Sequence, residues 1–117
     1  MRREHLLLCP VDGGLVQAGP AAGVILAVEP GAPVRAAALG SVLFAGWLDQ
    51  RQGYGVVLQH MGDAQTVYAG LAGPLPVPAG RAVRPSQVIG RAAGPVRFQL
   101  RIALQAVDPR RYWLLSR

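Results

Sequence analysis

The chain has 117 residues, enough for one compact domain with a modest core and too few for two. A hydrophobic fraction of 51% argues against disorder, and 15 glycines and 10 prolines spread between short apolar runs punctuate strands and turns rather than long helices. The net charge of +6 comes from arginine alone, with no lysine in the chain; the arginines are scattered, with no basic run or aromatic-interleaved strip, which argues against a nucleic-acid surface.

Residues 1–9 read as a lead-in and residues 10–117 as a single domain. The lone Cys9 excludes an internal disulfide framework and a multi-cysteine zinc knuckle, and is expected to be a small buried or half-buried side chain. The apolar run Leu6-Leu7-Leu8 is too short for a signal-peptide core, and no segment reaches the length of a membrane span. Val11 to Gly14 predict a turn, followed by a short strand at Leu15 to Gln17. Gly23 to Val28 is a β-branched run between Gly and Pro punctuation and predicts a strand, which Pro30-Gly31-Ala32-Pro33 ends in a turn. Val34 to Ala36 and Ser41 to Gly46 resume extended structure. Asp49 to Gly53 is polar and should be the tip of a hairpin whose second arm is Tyr54 to His60. Met61 to Asp63 predict a turn, Thr66 to Ala69 a strand, and Gly73 to Gly80 a proline-rich loop. The last strands are expected at Val88 to Gly90 and Val96 to Leu104, and Asp108-Pro109 opens a short terminal turn or helix through Tyr112 and Trp113. The predicted class is an all-β antiparallel sheet or sandwich with a short C-terminal turn or helix.

The strand after residue 95 carries most of the functional signal. Phe98, Leu100, Ile102 and Leu104 share one face and are expected to be core; Pro95, Arg97, Gln99 and Arg101 share the other. Landmarks in the same order as those of the lysostaphin-type zinc endopeptidase domain run through nearly the whole chain. Gly31, Pro33, Val34 and Ala36 follow Gly-x-Pro-Val-x-Ala, and Gly40, Val42 and Gly46 follow Gly-x-Val-x-x-x-Gly. Tyr54-Gly55 with Leu58 and His60, Thr66 with Tyr68, Gly80 with Val83, and Gln87 with Ile89-Gly90 continue the series. The chain resembles that family, which implies its antiparallel duplicated-hybrid-motif fold.

The departures from the pattern fall on chemistry. The resemblance puts the family's three metal ligands at Ala21, Ile25 and Arg97, and its two catalytic histidines at Gly70 and Pro95; the glutamate of the closing strand becomes Gln99. Zinc catalysis needs about three protein donors with lone pairs and an open position for water, and a guanidinium is always protonated. The expectation is a domain without catalytic residues, metal or other cofactor. His60 is expected to be a hydrogen-bonded structural residue and His5 a solvated one. Ser41 and Ser86 lack a nucleophile elbow, and no glycine cluster forms a phosphate loop.

The resemblance extends to non-catalytic relatives, the murein hydrolase activators and the sporulation regulators of an intramembrane protease. It implies a regulator that binds a protein partner, a cell-wall amidase or a membrane protease complex. A non-cleaving peptidoglycan-peptide binder is the alternative, and an active zinc endopeptidase the third reading. In either binding role Tyr68, Arg97, Gln99 and Arg101 are expected to line the former substrate groove, which would take a loop or strand through main-chain hydrogen bonds. The implied location is extracytoplasmic (periplasm, cell envelope or spore intermembrane space), reached through an export signal or anchor carried by sequence outside these 117 residues.

Overall fold

The computed structural model describes residues 7–113; His5 lies outside the described residues. Nine strands follow one another: β1 (Leu15–Ala18), β2 (Val24–Ala27), β3 (Pro33–Arg35), β4 (Gly40–Asp49), β5 (Gly53–Gln59), β6 (Ala64–Leu71), β7 (Ala82–Val83), β8 (Val88–Ile102) and β9 (Gln105–Val107). Short 3-10 turns at Pro20–Ala22 and Pro109–Tyr112 complete the set. The strands join in one antiparallel sheet in the order β1-β2-β8-β6-β5-β4-β7, with β3 and β9 also paired to β8.

Strand β8 organises the whole. It is long enough to pair with β3 near its start and with β2, β6 and β9 along its second half. Its period-2 pattern sets the two faces: Val96, Phe98 and Leu100 are buried, while Pro95 is exposed and Arg97, Gln99 and Arg101 are partly exposed. Pro95 has no N–H for a ladder. It sits where the β6–β8 register shifts, between the pairs Ala69↔Arg97 and Leu71↔Ala92, and makes no ladder pair itself. On the inner face Leu26, Val56, Leu58, Phe98 and Leu100 are all at most 1% exposed and belong to one continuous core.

The polar hairpin tip forms as the sequence predicts. Asp49 closes it by accepting hydrogen bonds at Oδ1 from the Arg51 and Gln52 amides, at 2.9 and 2.8 Å, and at Oδ2 from Gln52 Nε2 at 2.9 Å. The terminal turn also forms: Pro109 takes its first position, and the Asp108 carboxylate caps it by accepting from the Arg110 amide.

Three expectations are corrected, and two short strands are added. The segments at Val88 and Val96 are parts of one strand, because the bulge at Pro95 bends it without ending it. Leu104 is 80% exposed rather than core, since Ala103 and Leu104 form a two-residue hairpin turn with φ of 52° and 69° into β9. The short β7 and β9 carry no periodic pattern of their own and form by pairing with β4 and β8. Cys9 is exposed, because its neighbours Leu7 and Pro10 take the buried positions.

Candidate functional site

On the outer face, β2, β8 and β6 form the floor of a cleft of about 290 Å³, bounded by the Pro20–Ala22 turn and the Asp49–Gln52 hairpin tip. Arg97 lines the cleft. In the ladders it lies opposite Ile25 on one side and Ala69 on the other, so both flanks of the guanidinium stem are aliphatic. Ala21, in the turn before β2, lines the same cleft and holds a left-handed φ of 53°. The three positions at which the resemblance puts metal ligands thus gather at one end of β2 and its partner strand.

Positions 70 and 95 also adjoin one another. Gly70 forms the β6 bulge at φ 84°, and its N–H donates to the Gln52 carbonyl at 2.8 Å. A Cβ built on Gly70 would lie 2.6 Å from the Pro95 carbonyl oxygen, so the backbone at this spot leaves no room for a side chain.

The residues present do not fit a zinc ion. Ala21 and Ile25 offer no donor, Arg97 offers a fixed cation, and among the described residues no three His, Cys, Asp or Glu side chains converge. The cleft's carboxylate, Asp49, is committed to its own hairpin, where hydrogen bonds from Gln52 hold its carboxyl below the usual carboxylate range. Gln99 is braced at both ends: Nε2 donates to the Ala21 carbonyl at 3.4 Å and Oε1 accepts from Arg101 Nε at 2.7 Å. The Arg97 guanidinium has no hydrogen bond or ion pair with any described residue.

Tyr68 is not in the groove. Odd-numbered residues of β6, Val67 and Ala69, face the cleft, whereas Tyr68 is fully buried on the core side, its ring 5.2 Å from that of Phe98. A polar chain inside the core explains this. Tyr68 Oη accepts from the Ala37 amide at 2.9 Å and lies 2.8 Å from Thr66 Oγ1, which is 2.7 Å from His60 Nε2; His60 Nδ1 is 2.7 Å from the Leu39 carbonyl. The Leu39 carbonyl can only accept, so Nδ1 carries the proton of a neutral ring and Nε2 accepts from the Thr66 hydroxyl. Thr66 in turn accepts from the Tyr68 hydroxyl. Every hydrogen-bonding group of the chain is satisfied, which is what lets it be buried. Burial pushes the Tyr68 phenol pKa up, so it stays a donor.

His60 couples this chain to pH. Burial lowers its pKa below 6.5, partly opposed by the bond to Leu39. Above 6.5 the ring is neutral whether the chain is folded or unfolded; below it the unfolded ring takes a proton that the folded one resists. Stability is therefore lost as pH falls from 6.5 toward the folded-state value. The urea midpoint should drop more between pH 7.5 and about 5.5 in the native chain than in His60→Gln. Equal drops would mean that the buried ring does not contribute.

The main-chain mode of binding expected for the groove is also corrected. Its floor strands β2, β8 and β6 are interior to the sheet, with their N–H and C=O groups already used by neighbours. Open edges exist instead at β1, all four residues of which are exposed, and on β4 beyond Val42, whose N–H and C=O still bond to Arg81 and Gly80.

The match to a peptidase family model identifies this antiparallel β-domain, with its cleft at the strand reading Arg-Phe-Gln-Leu-Arg, as a peptidase scaffold. The chain belongs to peptidase family M23, whose family model matches residues 19–109. Among solved structures it is similar to Helicobacter pylori Csd3, at a TM-score of 0.85 and 23% identity over 95% of this chain and 34% of that one. A Pseudomonas aeruginosa protein of the M23 peptidase type gives 0.79 and 29% over 89% of this chain and 48% of the other. A chain of the SpoIIQ–SpoIIIAH pore-forming complex gives 0.77 and 23%, covering 94% of this chain and 92% of that one. The chain thus spans about a third of Csd3 and about half of the Pseudomonas protein. No curated protein matches the sequence.

Proposed function

We propose that this M23 domain is non-catalytic and regulates a partner enzyme by binding it, outside the cytoplasm. The observation that carries the reading is the set Ala21 and Arg97, which line one cleft, with Ile25 opposite Arg97 in the β2–β8 ladder: two side chains without donors and one permanent cation. A domain that keeps the scaffold while lacking every donor for the metal retains a shaped surface, and a surface can act through contact alone. The similarity to a chain of a two-protein complex supports a protein partner, for which a cell-wall amidase or a membrane protease complex are the candidates. Binding of a peptidoglycan peptide without cleavage is the second reading, favoured by the arginines that line the cleft.

The test is elemental analysis of purified protein after incubation with excess zinc and desalting. Well under a tenth of a zinc per chain is expected. Retention of about one zinc per chain, with release of fragments from isolated cell walls, would overturn the proposal.

A further inference from the structure

We propose that the cleft has exchanged a cation for an anion: where the family fold would hold a metal, Arg97 receives a carboxylate of a peptide segment of the bound partner. The inference rests on the reading of the domain as a non-catalytic binder and names what its cleft recognises.

Charge bookkeeping in the cleft is one-sided. Arg51, Arg97 and Arg101 line it with one carboxylate, Asp49, whose two oxygens are occupied by the hairpin's own donors. Arg97 is half-buried and lies opposite Ile25 and Ala69 in the ladders, and its head has no partner among the described residues. An incoming carboxylate can pair with this free planar fork through two parallel charge-assisted hydrogen bonds.

The surroundings are ordered in advance. Gln99 ties the Ala21 carbonyl to Arg101 Nε, which spends one donor of that guanidinium and leaves its two terminal nitrogens for a ligand. Ordering these side chains before binding lowers the entropic cost of capture. The floor strands have no main-chain groups to spare, so an occupant is held by side chains, and of these the arginines are the strong ones. A cleft of about 290 Å³ with Val67 and Ala69 on its floor takes one or two residues of a peptide with small apolar flanks.

The carboxylate has two sources, a chain end or an acidic side chain, and three probes separate them. Acetyl-Ala-Ala-Ala offers a free C-terminus, acetyl-Ala-Glu-Ala-amide a side chain, and acetyl-Ala-Gln-Ala-amide neither. Each is titrated into the full chain at low salt, following the arginine Nε–H signals by NMR. The expected result is a shift of the Arg97 signal with one or both carboxylate probes and none with the glutamine control. Arg97→Gln should weaken that binding at least about tenfold, whereas Arg84→Gln, exposed and outside the cleft, should leave it within about twofold. The tighter carboxylate probe identifies the source. Equal response to all three probes, or binding unchanged in Arg97→Gln, overturns the inference. Failure here with no zinc retained leaves the non-catalytic reading intact; about one zinc per chain sinks that reading instead.

Discussion

The combined substitution Ala21→His, Ile25→Asp and Arg97→His is expected to take zinc retention from near zero to about one ion per chain. Positions 25 and 97 are direct partners in the β2–β8 ladder. Opposed residues of an antiparallel pair have Cβ atoms about 4.5–5.5 Å apart, and ligand atoms about 2 Å from a zinc ion can meet across that gap. Ala21 lines the same cleft, and its φ of 53° falls where histidine is tolerated better than most residues. The exchange also removes the cation that repels a metal and adds an anion that attracts one. Hydrolysis should not return, because Gly70 and Pro95 still supply no acid or base, and the Pro95 carbonyl blocks a side chain at 70 on the present backbone. Elemental analysis of the desalted variant decides the matter. A folded triple variant without zinc would show that these ladder positions are not the ones that hold a metal in the family.

Phe98→Ala should cost about 3–5 kcal/mol, the range for truncating a buried aromatic ring. Phe98 is 1% exposed, packs on Tyr68 and lies between β2 and β6 at the centre of the sheet, where the surrounding strands are pinned and the void cannot collapse. Against a total of about 5–15 kcal/mol this brings a small domain close to unfolding, with a fall in Tm of more than about 10 °C. Its neighbour Arg97 points to the other face, and Arg97→Gln should move stability by no more than about 0.5 kcal/mol. Urea melts of both variants measure the contrast. A Phe98→Ala loss below about 1 kcal/mol would mean that the faces of β8 are assigned the wrong way round.

The alternation from Pro95 to Ile102 was readable because one face is uniformly apolar and the other carries two arginines and a glutamine. The hairpin at Asp49 was readable because five polar or glycine residues interrupt two apolar runs. Two expectations fail for different reasons. Tyr68 sits in Thr66-Val67-Tyr68-Ala69, where both faces are acceptable as core, so periodicity does not say which way the ring points. The spacing of Thr66 and Tyr68, two apart on one face of β6 and near His60 just past the end of β5, is the available signal for a shared buried polar chain. At Leu104 the alternation of β8 has already ended, because Ala103 and Leu104 form the turn into β9. Ala-Leu is not a turn dipeptide by composition, and its left-handed backbone is imposed by the β8–β9 pairing rather than by local preference. Which strands are interior is likewise a property of the assembled sheet, and it decided how the cleft can bind.

The two ends of the described chain meet. Leu7 pairs with Trp113 in a parallel bridge, and the Leu7 amide donates to the Tyr112 carbonyl at 2.7 Å. The polypeptide therefore enters and leaves at one spot, like a loop of thread gathered by a single knot. A longer protein could carry such a unit as a pendant between two of its own residues without being stretched to accommodate it. A linker from Trp113 back to Leu7 would have only a short gap to span.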